Sequence, residues 1–185
     1  MPSSRLRASL PPPSGGSMGH DARAVANFFI ETAWREQHIL THLALQKILF
    51  FAHAWHLAKF DRPLIGQQFE AWQYGPVIRV VYDQLKDLKK KPIDRLLNKI
   101  DINSGAWIKS DYHFSEEENL FLSGLFKYYS KFHAGTLVDL THDKDGPWEK
   151  IWNMSVDNAV PGMAIPNQNI KLWILRGGGR GVNTH

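Results

Sequence analysis

Residues 41–59 read Thr41-His42-Leu43-Ala44-Leu45-Gln46-Lys47-Ile48-Leu49-Phe50-Phe51-Ala52-His53-Ala54-Trp55-His56-Leu57-Ala58-Lys59. Wound at 3.6 residues per turn, Leu43, Leu45, Ile48, Leu49, Phe50, Phe51, Trp55 and Leu57 leave almost no side of the helix polar. A helix that is apolar all round has to be covered by others. The stretch is therefore the central helix of a mainly α fold. It is not a membrane span, because Gln46, Lys47, His53 and His56 interrupt it before the roughly 20 apolar residues that a bilayer requires.

Working outward, Asp21 caps a preceding helix in which Val25, Phe28, Phe29 and Ala33 recur at three-to-four spacing, ending near Gln37. Downstream, Asp61-Arg62-Pro63 breaks the central helix, and Gln68 to Gln73 is short, extended and rich in aromatics. Pro76 suits the first position of a new helix with Val77, Val80, Val81, Leu85 and Leu88 on its apolar side, stopped by Pro92. Ala106 to Phe114 has the composition of a strand and is expected to pair with the segment around Glu70, making a small β element. Ser115 and Glu118 form a capping box that opens a helix to about Phe132. Short helices follow through Leu137, Val138 and Leu140, then from Pro147 with Trp148 and Trp152, and a last one from Pro166 with Ile170, Trp173 and Ile174.

The ends differ in character from this body. Residues 1–17 contain Pro11-Pro12-Pro13 and Ser14-Gly15-Gly16-Ser17, which cannot form the apolar helix of a secretory signal and read as a disordered tail. One compact domain is expected over 18–175, with Gly177-Gly178-Gly179 opening a flexible tail at 176–185. Across 185 residues, 43% hydrophobic, 12% aromatic and 22% charged residues place the chain among folded globular proteins. The absence of cysteine excludes disulfides, thiolate metal sites and a cysteine nucleophile, and fits a reducing cytoplasm.

The formal net charge of +4 raises nucleic acid as a partner, but Arg5, Arg7, Arg176 and Arg180 lie in the ends. Lys86, Lys89, Lys90 and Lys91 close a helix, where cations meet the negative end of its dipole. A DNA-binding regulator is thus an alternative reading and not the preferred one. His38 with His42, and His53 with His56, have helical spacings that bring imidazoles to one side, yet neither pair carries an embedded carboxylate; no metal and no cofactor is expected. His42, Gln46, His53 and His56 instead form a polar seam, either satisfied internally or bordering a recognition cleft. Thr141-His142-Asp143 with Asp145 is the one cluster that resembles acid–base machinery, and turn formation accounts for it. A histidine-dependent hydrolase is the weakest alternative, and no catalytic residue is assigned.

The residues become specific in three blocks: Leu45-Gln46-Lys47 with Phe51-Ala52, Trp55-His56 and Pro63-Leu64; then Phe69-Glu70-Ala71-Trp72-Gln73-Tyr74-Gly75-Pro76-Val77 with Tyr82; then Leu140-Thr141-His142, Gly146-Pro147-Trp148 and Ile165-Pro166-Asn167 with Ile170. Together they resemble the Panacea domain family, with its phage-associated GepA-like and its SocA-like antitoxin members, over residues 22–175. Gln73 stands where that family has a basic residue and Phe51 where it has a tyrosine. The resemblance implies an antitoxin that neutralises a cognate toxin by direct protein contact or, as in SocA-like members, delivers the toxin to a protease. It points to Gln46, Trp55, His56, Glu70, Trp72, Tyr74, His142 and Trp148 as partner-binding candidates. Along an extended segment Glu70, Trp72 and Tyr74 share one side and Phe69 and Ala71 the other, so one of these sides belongs to the core.

Overall fold

The computed structural model describes residues 18–157 and 161–180. The expected tail at 1–17 lies outside them. In chain order the elements are α1 (Ala22–Arg35), α2 (His42–Phe60), β1 (Phe69–Trp72), β2 (Gly75–Val77), α3 (Arg79–Leu85), β3 (Asn98–Ile100), β4 (Trp107–Lys109), α4 (Glu116–Tyr129), α5 (Ala134–Thr141), α6 (Pro147–Asp157), β5 (Ala164–Ile165) and α7 (Asn167–Leu175). Short 3-10 turns at Lys86–Leu88 and Pro161–Met163 complete the list. The fold is mainly α.

Thr41 starts α2 by accepting from the Ala44 amide, and Asp61 ends it in the left-handed conformation at φ 54°. Between these caps α2 is covered by α7, α5, α1, α4, α3 and β2, the arrangement its all-round apolarity requires. Phe51 stacks on Tyr129 of α4 at 4.4 Å and 4° between planes, and Trp173 of α7 packs on Phe50 and Phe51. The Ser115–Glu118 capping box is present in full, with each side chain bonded to the other's backbone N–H.

Two expectations need correction. Pro76 does not open a helix: it lies within β2, and α3 begins only at Arg79. Both positions tolerate a residue without an N–H, and β2 is an edge of the sheet ordered β2-β1-β5, where proline is admitted. Nor does the segment after Ala106 pair near Glu70. β4 forms a separate hairpin with β3, Lys99 opposite Ile108, while β1 takes β5 as its second partner through Phe69 and Ile165. Beyond α7 the glycine run folds back against the core, burying Gly179, whose carbonyl accepts from the Tyr129 hydroxyl at 2.8 Å. Any β-carbon at Gly178 would fall 2.2 Å from the Trp173 indole nitrogen, so this close approach needs a glycine.

Candidate functional site

The alternation along β1 decides which side faces solvent. Phe69 and Ala71 are buried, and Glu70 and Trp72 point outward at half burial. The Glu70 carboxylate accepts from the Trp72 indole at 2.8 Å and from Arg79 at 3.1 and 2.6 Å, and the Arg79 guanidinium lies over the Trp72 ring at 5.1 Å. Trp72 is thereby held from two sides in one orientation. Tyr82 of α3 meets its ring edge-on at 4.7 Å, and His42, in the first turn of α2, stands 5.2 Å from Tyr82. Tyr74, in the turn between β1 and β2, is 62% exposed.

These rings enclose a pocket of about 450 Å³ floored by Leu43, Gln46 and Val77 and rimmed by Lys86 and Lys89. Gln46 is fully engaged in building it. Its amide oxygen accepts from the Ile78 N–H at 2.9 Å and its amide nitrogen donates to the Ile78 carbonyl at 3.3 Å, which fixes where α3 starts. Burial, aided by the nearby Lys47 cation, pulls the His42 imidazole down to about 4, so it is neutral at pH 7.

Lys47 lies directly behind. It is fully buried in α2 and donates to the Pro76 carbonyl at 2.8 Å, and burial lowers its ammonium to about 7. Gly75, at φ 91°, makes the contact possible: a β-carbon there would sit 2.5 Å from the Thr141 hydroxyl and 2.9 Å from the Lys47 amine. In the sequence Lys47 stands as an interruption of an apolar run and as a member of the Leu45-Gln46-Lys47 block, but not among the partner-binding candidates. The readable signal was a cation on a helix that has no solvent face.

His142 and Trp148 buttress the same site from the far side. Trp148 donates to the Trp72 carbonyl at 2.8 Å and stacks on the His142 imidazole at 3.8 Å. Burial and then Lys47 depress the His142 pKa, and its Nε2 is buried without a hydrogen-bond partner among the described residues. Asp143 does not orient it. That carboxylate accepts from the Trp173 indole at 2.9 Å, and Asp145 lies in a left-handed turn with its amide on Glu149, so the acid–base arrangement is not assembled.

Trp55 and His56 are elsewhere. An offset of nine residues turns Trp55 half a revolution away from Gln46. Its indole donates to the Tyr129 hydroxyl at 2.7 Å. His56 bonds the Arg62 carbonyl at 2.8 Å and stands 3.6 Å from Glu118, which also receives Arg62 at 2.9 Å and His20 at 3.3 Å. Burial opposes ionisation of Glu118, but the Ser115 backbone, His20, Arg62 and the Ser115 hydroxyl outweigh it and hold the carboxyl at about 2. His53, also lowered to about 4 by burial, accepts from the Ile65 amide and bonds Asn167. The seam is real in angle, but its members spread over about 20 Å of helix axis at 1.5 Å per residue. Only His42 and Gln46 reach the pocket. Among the described residues no group of three or more His, Asp or Glu is placed to hold a metal ion.

The model of the SocA-like antitoxin Panacea domain matches residues 45–149, from the floor of this pocket to the indole that backs it. The chain belongs to this Panacea family. Antitoxin SocA of Caulobacter vibrioides (strain NA1000 / CB15N) is 36% identical over 168 residues, which cover 88% of this chain and 86% of that protein. No solved structure matches. In this Panacea domain no helix among the described residues is long and apolar enough to cross a membrane.

Proposed function

We propose that this protein is an antitoxin that neutralises a cognate toxin by direct contact, with the face formed by Trp72, Tyr74 and the adjoining pocket as its docking surface. The family supports the antitoxin role. The surface is supported by one observation: an aromatic-lined pocket whose walls are pre-set by Glu70, Arg79 and Gln46 and whose outermost ring, Tyr74, is exposed. Rigid aromatic anchors at the centre of a patch dominate binding energy. The test is growth of cells expressing the neighbouring reading frame with and without this protein, followed by co-purification of the pair. Rescue with a stable complex supports the reading, and a neighbour that is neither toxic nor bound defeats it.

A second reading, delivery of the toxin to a protease, has its own supporting observation. A delivery factor needs two docking surfaces, and the β3–β4 hairpin exposes the cross-strand pair Ile100 and Trp107 on one face, with Ile102 in its turn and Ile108 on the other face. It is clamped to the body by Gln84 on Asn98 and by Glu31 on Lys109. Protease-dependent loss of the toxin, abolished by Trp107→Ala, would favour delivery over simple blocking.

A further inference from the structure

Resting on the antitoxin reading above, we infer that the pocket beside Tyr74 receives an aromatic or aliphatic side chain of the toxin that is flanked by carboxylates, so the docked segment is acidic. The size and lining set the first half of this statement. A space of about 450 Å³ walled by Trp72, Tyr74 and Tyr82 has room for a large apolar side chain together with the residues beside it.

Charge sets the second half. The only ionic groups lining the pocket are the cations Lys86 and Lys89. Lys86 shares its charge with Asp83 at 3.1 Å, whereas Lys89 has no ion-pair partner among the described residues. Lys90 and Lys91 follow directly in the chain, both exposed. Asp83 is taken up by Lys86 and Asp87 by Arg95, which leaves Lys89, Lys90 and Lys91 as the unpaired charges of this rim among the described residues. A basic segment would be repelled from this rim and an acidic one drawn to it. A nucleic acid offers rings and negative charge too, but it needs a continuous basic track for its backbone. Here Asp83, Asp87 and Asp94 break the track, with Asp87 and Asp94 both drawn to Arg95.

The experiment replaces Tyr74, in the full-length chain, with the photo-cross-linker p-benzoyl-phenylalanine, co-expresses it with the neighbouring reading frame, and identifies the adduct by mass spectrometry. The expected result is a cross-linked peptide of that neighbouring product bearing a large apolar residue beside Asp or Glu. Reversing the rim with Lys86→Glu and Lys89→Glu should lower the yield about tenfold, the effect of two partly screened charge pairs. The same cross-linker at Tyr128, on the opposite side of α2, should give no such adduct. An adduct with a Lys- or Arg-rich segment, an adduct with nucleic acid, or no adduct at position 74 while the pair still co-purifies would each overturn the inference. In the last case the antitoxin reading survives, whereas failure of the unmodified protein to rescue growth removes that reading instead.

Discussion

Two aromatic clusters flank the central helix, and they differ in what closes them. On the side of Trp55 the hydrogen bonds run from indole to Tyr129 hydroxyl to Gly179 carbonyl, with Phe51 stacked flat on Tyr129, while Tyr128 stays exposed beside an open apolar pocket and Arg180 lies over the Trp55 ring at 5.6 Å. On the side of Gln46 the rings are equally well oriented, yet Tyr74 stands in solvent and Lys89 has no counter-ion among the described residues. Residue type does not separate the two clusters. What separates them is that the central hydroxyl of the first, that of Tyr129, is bonded inside the fold, whereas the outermost ring of the second, Tyr74, stands in solvent.

The comparison breaks most visibly at Phe51. Replacing this fully buried ring with alanine should cost about 3–5 kcal/mol, seen as a lower denaturant midpoint at unchanged slope. Next is the pH profile. Lys47 is lowered from 10.5 to about 7, so between those values the unfolded chain binds more protons and stability should rise with pH. Lys47→Met should abolish that rise in thermal melts taken from pH 7 to 10.5. By the same sign, His42 and His53, each lowered from 6.5 to about 4, make stability fall as pH drops through that window. Tyr129→Phe keeps the ring but leaves the Trp55 indole and the Gly179 carbonyl without a partner, at about 1–3 kcal/mol. Smallest on stability is Tyr74→Ala, within about 0.5 kcal/mol, because its ring is largely exposed.

Much of the scaffold was legible because its causes are local. The cap at Asp21, the Ser115–Glu118 box and the all-round apolarity of α2 each depend on residues a few positions apart. Pairing of β1 with β5 was not legible, since Ala164 and Ile165 are two residues without a pattern, brought to Phe69 only by the fold. Pro76 was misread because a missing N–H suits an edge strand as well as a helix start. For the site, Gln46, Trp72, Tyr74, His142 and Trp148 do converge, with Glu70 holding Trp72 in place. Trp55 does not, because nine residues turn it half a revolution from Gln46, and His56 does not, because ten residues carry it about 15 Å along the axis. Lys47 was overlooked for a physical reason too: a buried cation is explained only by the carbonyl it meets, and Pro76 lies 29 positions away.

The most direct test of the central claim measures growth rescue and unfolding midpoint together for Tyr74→Ala. The account predicts an unchanged midpoint with affinity for the toxin weakened by about 2 kcal/mol, roughly thirtyfold, and rescue correspondingly lost. Full rescue and full affinity in a protein lacking the Tyr74 ring would contradict the claim that this open aromatic face grips the toxin.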